Sequence, residues 1–146
     1  MGDSPLRTVP HRTVPMMPIH PALVHFPIAF YFLELLLLLF WLGKKDPTYL
    51  RFARFSFHLG YVMMIVAMAG GLFDTKGFSG ITGRVRIHVY SALVVFGIYT
   101  TRIGVSRFAD RRNEQPVASP MIHIAAAILG NLAVIVTGYL GGKLVY

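Results

Sequence analysis

Residues 22–42 read ALVHFPIAFYFLELLLLLFWL, a run of 21 residues holding one carboxylate, Glu34, and one imidazole, His25, among apolar and aromatic side chains. As a helix with ~1.5 Å rise per residue, about 20 residues cross the ~30 Å hydrocarbon core of a bilayer, so this run spans once. It is too long for the apolar core of a signal peptide, and Gly43, Lys44, Lys45, Asp46 and Pro47 follow it where a cleavage site would need small residues. Leu6 occupies the position at which a myristoylation signal needs Ser or Thr.

Outward from that run, three further apolar stretches cover about 55–73, 87–103 and 121–140. They are continuous rather than alternating, which excludes transmembrane β-strands. The fold class is therefore all-α. The sequence predicts an integral membrane four-helix bundle in up-down order with short loops over 21–146, with spans at about 22–42, 55–73, 87–103 and 121–140. Ahead of it, residues 1–20 form a proline-rich arm carrying RTVP at 7–10 and again at 12–15; with Pro5 and Pro18 it favours an extended strand.

Composition agrees. Of 146 residues, 55% are hydrophobic and 14% charged, against roughly 25% charged in soluble domains. Mean hydropathy is +0.60. The net charge of +8 does not indicate nucleic acid, because the basic residues scatter into the gaps between the runs, as residues flanking membrane spans do. There is no cysteine, which excludes disulfides, iron–sulfur clusters and thiolate metal sites and leaves histidine as the strong transition-metal ligand.

We call the side holding the N-terminus side A. It carries six basic residues (Arg7, Arg12, Lys76, Arg84, Arg86, Lys143), while side B carries eight (Lys44, Lys45, Arg51, Arg54, Arg102, Arg107, Arg111, Arg112). The positive-inside rule then puts side B in the cytoplasm and both termini outside, as expected of a multi-pass membrane protein.

His11 lies in the arm and His20 just ahead of the first span, but His25, His58, His88 and His123 fall one in each span. Ionisable residues inside a bilayer are costly and point to function. Each lies in the first turn or two of its helix, and alternate helices run in opposite directions. His25 and His88 therefore sort near side A, and His58 and His123 near side B. In an up-down bundle each pair sits on a diagonal. Two opposed imidazoles at one depth suit a b-type haem, which takes two axial nitrogens. Arg51 and Arg54 on side B, and Arg84 and Arg86 on side A, are candidate partners for haem propionates or interfacial anchors. Gly60 and Gly130 remove bulk near His58 and His123. Zinc would need three or four ligands at one depth, which the two levels do not offer. Pro27 should kink the first helix just past His25 and aim it inward. Glu34, nine residues on, points to roughly the opposite face, either as a protonated acid hydrogen-bonded to a neighbouring helix or beside a proton or quinone path.

The segment IHPALVHFPIA at 19–29 resembles the opening of the bacterial membrane family called domain of unknown function 2231, which typically carries His-Pro-x-x-Val-His-Phe-Pro-Ile. That family has a third-span histidine matching His88 and a closing Gly-Gly-x-Leu-Val-Tyr matching GGKLVY at 141–146. The resemblance runs from about His20 to Tyr146. Tyr139 stands where the family often has histidine, and His58 and His123 lie outside its pattern. Relatives occur beside or fused to cytochrome c and Rieske-type modules, which implies electron transfer.

The expectation is a membrane-embedded b-type cytochrome subunit. It holds one or two haems b, with His25/His88 the better-supported site and His58/His123 the second. It passes electrons across the bilayer from quinol or a redox subunit to an external cytochrome c or iron–sulfur protein. It would contact membrane lipid and serve as the electron-transfer subunit of an oxidoreductase complex rather than a stand-alone enzyme. The alternative is a haem-free structural subunit anchoring such a complex. A transporter coupled through Glu34 is weaker, since no inverted repeat is evident.

Overall fold

A computed structural model of the chain describes residues 19–111 and 120–145, so residues 1–18 of the proline-rich arm, with His11, and Arg112 lie outside the described residues. Four helical spans are long and apolar enough to cross a membrane. The first comprises α1 (His20–Leu23) and α2 (His25–Lys44); the others are α3 (Pro47–Asp74), α4 (Gly83–Arg111) and α5 (Pro120–Val145), with a 3-10 turn at Phe78–Gly80 between α3 and α4.

The break between α1 and α2 falls at Val24, just before His25 rather than beyond it. Pro27 has no N–H to offer the Leu23 carbonyl one turn back, so the ladder is interrupted there. Val24 keeps helical angles, and Ile28 N–H still reaches its carbonyl at 3.4 Å. The path therefore bends little, and His25 remains exposed.

A cap rather than hydropathy sets the start of α3, which begins well before its apolar run. Lys45 closes α2 in the left-handed conformation (φ 56°) with its N–H on the Trp41 carbonyl. Asp46 then caps α3, its side chain accepting from Thr48 N–H at 2.8 Å, and Pro47 opens the helix. That N–H holds the Asp46 carboxyl below the usual carboxylate range. The cap therefore contributes above the normal carboxylate pKa and is lost as pH falls through the depressed value. Asp46→Ala should lower the melting temperature slightly at neutral pH, and the difference from wild type should vanish in strong acid.

Around the bundle, α2 packs on α3 and on α5, and α4 packs on α5, while α3 and α4 meet only sparsely. The parallel helices α2 and α4 thus occupy one diagonal, as up-down order requires. Phe57, Met64, Val95 and Val134 pack with Tyr31 and Tyr99 on the axis, and Leu38, Ala53, Ile124 and Ala127 fill the side-B end. The outer faces are apolar, with Phe32, Phe55, Val94, Leu129 and Ile135 all more than half exposed, and they face lipid.

Candidate functional site

Three rungs join the diagonal helices across the axis. Nearest side A, the His20 and His88 rings meet edge to face with centroids 5.8 Å apart. Deeper, Tyr31 stacks on Tyr99 at 3.8 Å. Next to that stack, Arg102 donates to both oxygens of Glu34, at 2.5 and 3.4 Å. Each pair is separated by 68 residues.

The helices behind the rungs repeat with a different spacing. Gly71 lies against the His20 ring and Gly141 against the His88 ring; Gly60 lies against Tyr31 and Gly130 against Tyr99. The Ala67 carbonyl accepts from His20 Nδ1 at 2.7 Å, and the Thr137 carbonyl accepts from His88 Nδ1 at 3.1 Å. Each of these correspondences spans 70 residues, and Leu59, Gly60, Ile65, Val66 and Gly71 recur as Leu129, Gly130, Ile135, Val136 and Gly141. The bundle is two copies of one helical hairpin related by an approximate twofold axis along its length, the second carrying two more residues between its helices (70 − 68).

At the side-A rung, local structure fixes each imidazole. A carbonyl oxygen can only accept, so both Nδ1 atoms carry the proton, and in the neutral rings both Nε2 atoms keep a lone pair. Metal-ligating histidines are commonly oriented by just such a bond from the other ring nitrogen. Asp74 accepts from the His20 backbone N–H at 2.8 Å and ties the start of α1 to the end of α3. The glycines admit the rings: a Cβ at Gly141 would lie 2.9 Å from His88 Cε1, and one at Gly71 would lie 3.0 Å from His20 Nδ1.

His88 turns toward the bundle axis, and the ring it meets there is that of His20 and not His25. Five residues beyond His20, His25 is rotated by about 140° at ~100° per residue and faces outward. His58 and His123 are not brought together. His58 is exposed, its Nδ1 bonded to the Arg54 carbonyl one turn back at 2.7 Å and its ring against Phe57; His123 is half-buried on α5. Gly60 and Gly130 serve the tyrosines rather than these histidines. Arg51, Arg54, Arg84 and Arg86 are exposed and, among the described residues, none is in an ion pair.

The deeper rungs form a polar centre that hydropathy does not show. Glu34 is 3% exposed and meets the Arg102 guanidinium with both of its oxygens. Arg102 turns inward over the Phe57 and Tyr99 rings, at 4.5 and 5.4 Å, instead of anchoring at the interface. Asn131 donates to the Tyr31 and Ala127 carbonyls. Tyr99 is wholly buried, and its hydroxyl has no hydrogen-bond partner among the described residues. A Cβ at Gly130 would stand 2.6 Å from that hydroxyl. A stacked, enclosed ring cannot withdraw, so Gly130→Ala should destabilise the protein by about 1–3 kcal/mol, read from its thermal melt in detergent.

Among the described residues there is no cluster of three or more histidine, aspartate or glutamate side chains able to hold a metal ion. The matching family model is described as a predicted membrane protein, DUF2231, and it covers residues 16–146. Searches for similar curated proteins and for similar solved structures find no match.

Proposed function

From the premise that this chain belongs to the DUF2231 family of predicted membrane proteins, we propose that it is a b-type cytochrome subunit holding one haem b between His20 and His88. The observation that carries this reading is the pair of imidazoles that meet across the axis, each held by a backbone carbonyl at Nδ1 and each keeping Nε2 for a ligand. A site with two protein donors suits a group that brings its own four equatorial nitrogens, and it suits a bare zinc ion poorly.

Haem b held there by His20 and His88 would supply one-electron transfer rather than oxygen binding. The chain's own residues do the rest. Ala67 and Thr137 fix the tautomers, Gly71 and Gly141 make room for the rings, and Asp74 holds His20 at its level. His58 bonds within its own helix and faces outward, so this reading takes one haem per chain, near side A. The electron donor is quinol in the bilayer or a neighbouring redox subunit. The acceptor is a cytochrome c or iron–sulfur protein outside a bacterial inner membrane, with side A facing it.

The test is a reduced-minus-oxidised spectrum with pyridine haemochrome quantitation on protein purified from haem-sufficient cells. One b haem per chain is expected. If no haem is found, the His20–His88 contact is a packing clasp and the chain is a haem-free structural subunit. His20→Gln with His88→Gln should then lower assembly of the larger complex and change no spectrum.

A further inference from the structure

At the side-A end of the second hairpin, α4 and α5 border an open groove of about 700 Å³ on the outer face of the bundle. Its lining sorts by depth. α4 runs inward from Gly83 and α5 runs outward to Val145, so Arg84 and Lys143 stand at the side-A ends of their helices. Ile87, Tyr139 and Leu140 lie about one turn, ~5 Å, deeper. Gly142 leaves the rim open, for a Cβ there would meet no atom within 4 Å. Neither cation has a carboxylate: among the described residues the ion pair is that of Arg102 with Glu34, and Lys143 Nζ lies 4.6 Å from the Tyr139 ring centroid.

We propose that this groove binds an anionic phospholipid, with its phosphate between Arg84 and Lys143 and an acyl chain over Ile87 and Leu140. Two unpaired cations directly above an apolar wall reproduce the order of headgroup and chain in one leaflet. Basic pockets between membrane helices recognise anionic headgroups by this arrangement. A small soluble anion would have no use for the wall. A second copy of the chain would have to present a carboxylate at this level, and the one described on side A, Asp74, is engaged by the His20 backbone.

Native mass spectrometry of the full chain in neutral detergent tests the proposal, using phosphatidylglycerol and phosphatidylcholine with matched acyl chains. The intact protein should retain phosphatidylglycerol about tenfold better, and R84Q/K143Q should reduce it to the phosphatidylcholine level. R86Q, an exposed α4 arginine outside the groove, should change nothing. Equal retention of the two lipids by the intact protein would overturn the site, as would a phosphatidylglycerol preference that survives R84Q/K143Q. A lipid-free dimer that R84Q/K143Q dissolves would assign the groove to a second copy and overturn it likewise. Should the double variant fail to fold, added salt on the intact protein decides. Phosphatidylglycerol retention must fall with ionic strength while phosphatidylcholine retention holds; parallel curves refute the site.

Discussion

Glu34→Gln and Arg102→Gln are each expected to cost the folded bundle about 3–5 kcal/mol, the penalty for leaving one member of a buried ion pair without its partner. The cost should be unequal. A glutamate left alone can take up a proton and become a neutral hydrogen-bonding group, whereas a guanidinium does not lose its charge. Glu34→Gln should therefore be the worse of the two. The decisive variant is the exchange, Glu34→Arg with Arg102→Glu. Positions 34 and 102 are equivalent about the axis, each 14 residues beyond its histidine, so the exchanged pair meets at the same level. It should recover most of the stability lost in either single variant. Thermal unfolding of the four proteins in one detergent gives the comparison. An exchange no more stable than the singles would show that Arg102 acts through its stacking on Phe57 and Tyr99 and not through the charge pair.

The second large effect concerns which histidines act together. His20→Ala and His88→Ala should each abolish the same b-type spectrum, and the double variant should lose nothing further, because two ligands of one cofactor act as a unit. His25→Ala should leave haem content unchanged, since its ring faces outward. His58→Ala and His123→Ala should also leave it unchanged. Pyridine haemochrome ratios across the five single variants and one double measure this directly. Loss of haem on His25→Ala with retention on His20→Ala would transfer the axial role to His25 and break the correspondence between the hairpins.

The fold was legible because a bilayer imposes length and continuity on a helix, and four such runs are visible in composition alone. Their ends were not, since Asp46 and Pro47 set the start of α3 through a cap that hydropathy does not register. Depth along the helices put His88 at a level where its ring meets another histidine across the axis. Azimuth did not follow from depth, which is why His25, His58 and His123 shared its level or its mirror level without facing the axis. His20 was missed because it precedes the apolar run and sits beside Pro21, where a chain looks as though it is only entering the membrane. A signal did exist. The dipeptide Ile-His at 19–20 returns at 87–88, and the Leu-Gly, Ile-Val and Gly positions of α3 return in α5. Laying one half on the other would have set His20 opposite His88 and Glu34 opposite Arg102. Arg102 was harder to see, because an arginine near the end of an apolar run ordinarily marks an interface.

The hairpin repeat bears on how such a protein can arise. Each half contains an even number of crossings, so a gene fused to its own copy delivers the second half to the membrane in the same orientation as the first. The loop charges of the two halves then reinforce one topology. A repeat of one or three crossings would instead arrive inverted and need a sequence able to insert both ways. Doubling is thus topologically free for a two-crossing ancestor, and the change left to selection was at the axis. There, a side chain that meets its own twin can persist as histidine or tyrosine. Two buried carboxylates facing each other cannot both ionise, whereas glutamate opposite arginine, as at positions 34 and 102, joins the two halves as unlike partners.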